Sequence, residues 1–233
     1  MSLLAEAWGV VASFMTFDSF EIRDALREEG AWLFGIVVVA LGSFLVVQLY
    51  RRVPVLDRNL EKWVSVWTYL VIAAIIFVEV VLRFYGNFES WLTGTPVTYS
   101  NGWATTVPPL FFLVMAWYGC AYNVRLRTHL SFSELRTAMP RRAQIACLTL
   151  DFVLWWGFCL IVFVTTARAT AFSAFNFRIV GSTDNVMQWW FYITIPVAFI
   201  LLGGRALQNY LGDLRRFRNG EPLIERAVIG GDV

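Results

Sequence analysis

The chain has 233 residues, of which 58% are hydrophobic and 15% are charged, and its net charge at pH 7 is only +2. This balance leaves no basic excess for binding nucleic acid, and the high apolar share is typical of a protein that lies in a membrane. The three cysteines have no paired spacing that indicates a metal site or a disulfide framework.

Five apolar runs are each long enough to cross a bilayer as a helix, for which about 20 residues suffice. They cover residues 31–50, 63–82, 103–124, 145–167 and 186–204. Hydrocarbon offers no partner for an unpaired backbone N–H or C=O, so runs of this length must be helical. The sequence therefore predicts an all-α polytopic membrane protein with five transmembrane helices.

The arginines and the single lysine predict the orientation of these helices. Of the 19 basic residues, 14 lie between the first and second runs, between the third and fourth, or after the fifth. Basic residues accumulate on the cytoplasmic side of membrane proteins, so the N-terminus is expected outside and the C-terminus inside. The same arginines are suited to anionic lipid headgroups, which makes membrane lipids an expected partner.

The first 30 residues form an acidic segment that is expected to lie in the outer interface of the membrane. Apolar residues recur there at the spacing of a helix, at Leu4, Trp8, Val11 and Met15. Asp18 followed by Glu21 has the spacing of a capping box and predicts a second short helix that ends at Gly30.

Two acidic residues lie within the apolar runs, where a charge is costly and often marks function. Glu79 precedes Arg83 by four residues, an order that favours an ion pair, and Arg168 is a second possible partner. Asp151 lies near the cytoplasmic end of the fourth run. The two carboxylates are expected at different depths, which favours structural pairing over a shared transport site.

Glycine and proline predict where the helices are interrupted. The connection 83–102 contains Gly86, Gly94 and Pro96 and is expected to form turns without a folded domain. Pro196 lies within the fifth run, with Gly203 and Gly204 near its end, and is expected to kink or loosen that helix.

His129 is the only histidine, so the chain alone supplies no bis-histidine haem site. No cysteine or second histidine is near it for zinc. Catalysis with Ser131 or Ser133 stays open, although no orienting acid is identified. A helix-capping or interface role is the favoured interpretation.

From Leu60 onward the order of these features resembles the small, Q-type membrane subunit of tripartite ATP-independent periplasmic (TRAP) transporters. The resembling segments are Leu60-Glu-Lys62, Val81-Leu-Arg-Phe-Tyr85 with Asn87, Trp117-Tyr-Gly-Cys-Ala121, His129-Leu-Ser-Phe-Ser-Glu-Leu135 and Trp190-Phe-Tyr-Ile-Thr-Ile-Pro-Val-Ala198. The chain also departs from the family pattern. The family often has an acidic pair after the tryptophan that opens its second span, whereas here Trp103 is followed by Ala104, Thr105 and Thr106, and residues 94–99 look like an insertion. The helix 31–50 is additional to the usual four.

The resemblance implies a non-enzymatic subunit with no catalytic, cofactor-binding or metal-binding residues. Residues 60–210 would form the four-helix domain, 1–30 and 31–50 the additional N-terminal part, and 211–233 a cytoplasmic tail. Its partners would be a large M-type subunit, which carries the sodium and substrate sites, and a periplasmic binding protein that delivers an organic acid. The membrane would be the bacterial inner membrane.

Seven residues are candidates for structural or partner-interface roles in such a subunit. They are Glu79, Arg83, Asn87, Gly119, His129, Asp151 and Pro196. Small residues such as Gly119 and Gly157 permit close helix contacts. The alternative is an independent membrane enzyme or small transporter that uses Glu79, Asp151 or His129.

Overall fold

The computed structural model describes residues 3–16, 18–99, 101–127 and 139–223, and most of these residues are helical. The helices are α1 (Leu3–Thr16), α2 (Ser19–Ala25), α3 (Gly30–Arg52), α4 (Pro54–Thr93), α5 (Trp103–Leu126), α6 (Arg141–Phe175), α7 (Trp189–Tyr192) and α8 (Thr194–Asn219). Helices α3, α4, α5 and α6 and the segment Trp189–Asn219 are long and apolar enough to cross a membrane. The predicted all-α architecture with five membrane-length helices is confirmed.

Helix α8 is the centre of the bundle, since it packs against α3, α5 and α6. Phe199 is almost fully buried on α8, and its ring lies 4.7 Å from that of Trp117 on α5. Phe163 and Val164 on α6 and Val39 on α3 belong to the same apolar core. Helix α4 lies at the side of the bundle and packs mainly against α5.

The additional helix α3 approaches α8 closely because glycines face it. A Cβ at Gly42 would lie 2.6 Å from Ile200, and one at Gly204 would lie 2.6 Å from Val46. The hydroxyl oxygen of Ser43 would lie equally near a Cβ at Gly203. Helices in lipid associate through such van der Waals contact, so α3 is an integral part of the bundle.

Helix α4 has 40 residues and is much longer than the predicted second span. Pro54 lies in its first turn, where a missing N–H costs nothing. The prediction of turns from residue 83 was wrong, because the helix continues to Thr93 and ends only where Gly94 adopts a left-handed φ of 68°. The segment after Gly94 returns along the helix, and a Cβ at Gly86 would lie 3.1 Å from the backbone nitrogen of Tyr99.

The interruption expected at Pro196 lies at the start of α8. Helix α7 ends at Tyr192, Ile193 forms a turn, and α8 begins at Thr194. Pro196 therefore occupies the first turn of α8, where an N–H has no helical partner to lose. The helix then continues without interruption to Asn219.

The N-terminal segment forms two short helices, with one boundary different from the prediction. The side chain of Asp18 accepts a hydrogen bond from the N–H of Phe20 at 2.8 Å, as expected of a helix cap. Helix α2 ends at Ala25 and not at Gly30, which instead begins α3. The N–H of Gly30 donates to the carboxylate of Glu6 on α1 at 3.1 Å, so α1 is held against the start of α3 at this point.

Candidate functional site: a buried arginine network

Helices α3 and α4 meet at one end of the bundle, where α5 also ends and α6 begins, and we call this the basic end. Arg205 on α8 is buried there, with only 1% of its side chain exposed, beside the fully buried Glu61 of α4. Its Nε donates to Oε1 of Glu61 at 2.7 Å, and its Nη2 donates to Oε2 at 2.9 Å. This two-point contact fixes both the distance and the rotation of α8 relative to α4.

The remaining donors of Arg205 bind residues near the start of α4 and on α8 itself. Nη1 donates to the carboxylate of Asp57 and to Oε1 of Gln208, the latter at 2.9 Å. Nη2 also donates to the carbonyl oxygen of Asp57 at 2.6 Å. The guanidinium is thus hydrogen-bonded along its whole edge, which offsets much of the cost of removing its charge from water.

Helices α3 and α5 join this network through Tyr50 and Arg125. The hydroxyl of Tyr50 donates to Oε1 of Glu61 at 2.9 Å, and the guanidinium carbon of Arg205 lies 3.8 Å from the Tyr50 ring centroid. Arg125 on α5 lies 3.8 Å from the carboxylate of Asp57 and donates to the carbonyl oxygen of Arg58 at 2.7 Å. Four of the five membrane-length helices therefore meet at one polar cluster.

The charges of this cluster balance, with Arg125 and Arg205 opposite Asp57 and Glu61. Both carboxylate oxygens of Glu61 accept hydrogen bonds, so the pair is fully engaged in holding the helices. A buried pair of this kind adds little net stability over an apolar pair, but removing one member leaves the other as an uncompensated buried charge. The arrangement is suited to fixing helix positions.

A second polar contact joins the end of α5 to α8. Arg127 donates to Asp213 at 2.8 Å, and Asp213 is buried. The side chain of Asn209 donates to the carbonyl oxygen of Val124, also at the end of α5, at 2.7 Å. Arg127 reaches this position with a φ of 55°, a left-handed conformation that ends α5.

At the opposite end of the bundle, Glu79 and Arg83 form the ion pair that their spacing predicts, with Nε and Oε1 2.8 Å apart. Glu79 also accepts a hydrogen bond from the N–H of Asn101 at 3.1 Å, which holds the start of α5 against α4. Arg168, the alternative partner, donates to the carbonyl oxygen of Leu26 at 2.6 Å. It thereby joins α6 to the end of α2.

The other candidate residues are dispersed over the bundle. Asn87 is exposed on α4, Asp151 is half-buried on α6, and Pro196 is buried on α8. A Cβ at Gly119 would meet nothing within 4 Å, so that glycine is not needed for packing within the described chain. His129 lies outside the described residues.

Sequence reasoning missed the arginine network. Glu61 and Arg205 adjoin the second and fifth apolar runs. Arg205 entered only among the basic residues that indicate orientation, and Glu61 only within the resembling segment Leu60-Glu-Lys62. Their signal was position: a charge next to an apolar run is forced toward the interface or toward a partner. The basic end has several other charged residues, and nothing in the sequence indicated that Glu61 and Arg205 contact each other.

Comparison with known proteins gives one family match and no curated relative. The family model described as "Tripartite ATP-independent periplasmic transporters, DctQ component" matches residues 72–216, which is more than half of the chain. No curated protein matches the sequence.

Proposed function

This chain belongs to the family of DctQ components of tripartite ATP-independent periplasmic transporters, and from that premise we propose that it is the non-catalytic small subunit that braces the large, substrate-translocating subunit. The large subunit would couple sodium to the uptake of an organic acid. A periplasmic binding protein would deliver that acid. The small subunit would stay fixed during transport.

The buried arginine network is the observation that best supports a brace. Arg205 and Glu61 connect α8 to α4, and Tyr50 and Arg125 add α3 and α5 to the same cluster. A bundle whose helices are joined by buried, fully hydrogen-bonded charges resists the sliding that a transport cycle requires of a moving part. Rigidity of this kind suits a subunit against which another one moves.

The same proposal assigns the basic end to the cytoplasm of a bacterium and the chain to its inner membrane. Arg51, Arg52, Arg58 and Lys62 are exposed around the junction of α3 and α4. The positive-inside rule then places the N-terminus in the periplasm and the C-terminus in the cytoplasm. Cysteine accessibility tests the assignment, since a cysteine replacing Arg52 should react only with a membrane-permeant reagent.

Substitutions separate the brace from an independent transporter or enzyme. If the chain is a brace, Arg205→Met should reduce recovery of the large subunit, and uptake should fall because the complex is lost. In Asp151→Asn and His129→Ala, likewise, uptake should fall only as far as recovery of the large subunit falls. If either of these two variants abolishes uptake while the complex remains intact, the non-catalytic assignment is overturned.

A further inference from the structure

The chain covers only a narrow strip of α4, the longest helix of the bundle. Within the described residues, the buried or half-buried positions of its membrane part follow one line: Glu61, Val64, Ser65, Thr68, Ile72, Ile75, Glu79, Leu82 and Gly86. These side chains are mostly small, aliphatic or acidic, and the strip faces α5 along most of its length. The remaining positions of α4 between Glu61 and Gly86 are exposed within the described chain.

The face opposite this strip differs in composition. A residue two positions after a strip residue lies about 200° farther around the helix, on nearly the opposite face. Nine exposed residues occupy that face at alternating spacings of four and three: Trp63, Trp67, Leu70, Ala74, Phe77, Val81, Phe84, Phe88 and Trp91. We call this set the aromatic stripe, because six of its nine members are tryptophan or phenylalanine. Large, rigid aromatic side chains are enriched where proteins contact one another.

The aromatic stripe is too long for the hydrocarbon alone. From Trp63 to Trp91 it extends about 42 Å at 1.5 Å per residue, whereas the hydrocarbon core is about 30 Å thick. Because a charged side chain is costly in hydrocarbon, we take Arg83, whose side chain is 56% exposed, as the position where the helix leaves the hydrocarbon. Trp91 lies about 12 Å farther along the axis, beyond a headgroup layer of roughly 5–8 Å.

Helix tilt does not remove this excess, because a tilt of about 20° shortens the 12 Å by less than about 1 Å. Phe84 and Trp91 nevertheless have 74% and 79% of their surface exposed. The returning segment 94–99 covers the other side of the helix at Gly86 and leaves the aromatic stripe open. An apolar surface of this size that continues from lipid into water indicates a protein partner.

We propose that the aromatic stripe of α4 is the docking surface for a long helix of the large subunit, one that crosses the membrane beside α4 and emerges with it. The proposal rests on the proposed function, which supplies the partner. A soluble binding protein reaches only the part beyond Arg83, and lipid covers only the part before it. A partner that spans the membrane covers both.

Photo-crosslinking in the native membrane tests the surface directly. Benzoylphenylalanine replaces Phe77, Phe84 or Phe88 in turn, and Leu154 is the control, since it is exposed on α6. The expected result is a covalent adduct with a much larger polytopic protein from all three stripe positions and none from position 154. Adducts with lipid only, with a second copy of this chain, or with no partner overturn the proposal.

Recovery of the complex provides a second readout. The triple variant Phe84→Ala, Phe88→Ala, Trp91→Ala should lower recovery of the large subunit by about tenfold or more, since buried aromatic residues dominate interface energies. The matched control, Leu150→Ala, Leu154→Ala, Ile161→Ala on α6, should leave recovery unchanged. Full recovery of the large subunit with the triple stripe variant overturns the docking surface but leaves the proposed function standing. Absence of the large subunit from the preparation of the unmodified protein refutes the proposed function itself.

Discussion

Arg205 and Glu61 are 144 residues apart in the sequence, and two hydrogen bonds of 2.7 and 2.9 Å join their side chains inside the bundle. The contact connects α8 to α4, the second of the membrane-length helices. It also brings together two charges that neither helix could bury alone. The pair therefore holds α8 against α4 at the basic end of the bundle.

Replacing Arg205 with methionine should destabilise the subunit by about 3–5 kcal/mol, because Glu61 is left buried without its cation. The double variant Arg205→Met, Glu61→Leu should recover part of this loss. Thermal unfolding of the purified subunit in detergent measures both. Arg215→Met, at an exposed position on α8, is the control and should change the unfolding free energy by less than about 0.5 kcal/mol. Equal effects at positions 205 and 215 would contradict the network.

Tyr50 tests the contribution of the additional helix α3 to the same network. Tyr50→Phe removes the 2.9 Å hydrogen bond to Glu61 and should cost about 1.5–3 kcal/mol, the range for a bond to a charged group. Tyr50→Leu also removes the ring that faces Arg205 and should cost more. Measuring the unfolding free energies of both variants shows which substitution costs more stability. A larger loss for the phenylalanine variant would show that the ring contact is unimportant.

Gly204 tests the close approach of α3 and α8. A Cβ there would lie 2.6 Å from Cγ1 of Val46, so Gly204→Ala should cost about 1–3 kcal/mol through forced separation. Gly212→Ala on the same helix is the matched control, since its Cβ would meet nothing within 4 Å. The control should stabilise the helix by about 0.5–1 kcal/mol. Thermal unfolding should therefore show changes in unfolding free energy of opposite sign for the two variants. Changes of the same sign would contradict the close packing of α3 against α8 at Gly204.

Gly119 separates partner contact from folding. Because a Cβ there meets nothing within 4 Å, Gly119→Leu should not destabilise the isolated subunit, and loss of a glycine within the helix should stabilise it by up to about 0.5–1 kcal/mol. If the glycine lies against the large subunit, recovery of the complex should fall. Quantitative co-purification decides the point, and undiminished recovery removes Gly119 from the interface.

Local sequence rules predicted the features that depend on neighbouring residues. The apolar runs predicted five membrane-length helices, and the four-residue spacing of Glu79 and Arg83 predicted their ion pair. The length of α4 was underestimated, because neither Arg83 nor Gly86 ends a helix whose hydrogen bonds continue. Only Gly94, with its positive φ, does so.

The arginine network could not be predicted because it depends on tertiary structure. Glu61, Tyr50 and Arg205 come from three helices, and each had several opposite charges or polar groups within plausible reach at the basic end. Which ones meet depends on the close contact of Gly204 with Val46 and on the rotation of α8. Neither this contact nor the rotation of α8 can be predicted from a local sequence pattern.

The most direct test of a bracing subunit is purification of the tagged chain from its native membrane in mild detergent, followed by mass spectrometry of the bound proteins. The account predicts a much larger polytopic protein in a stoichiometric amount, with sodium-dependent uptake of an organic acid in liposomes only when both are present together with the binding protein. A monomer or homo-oligomer that remains active alone in liposomes would contradict it.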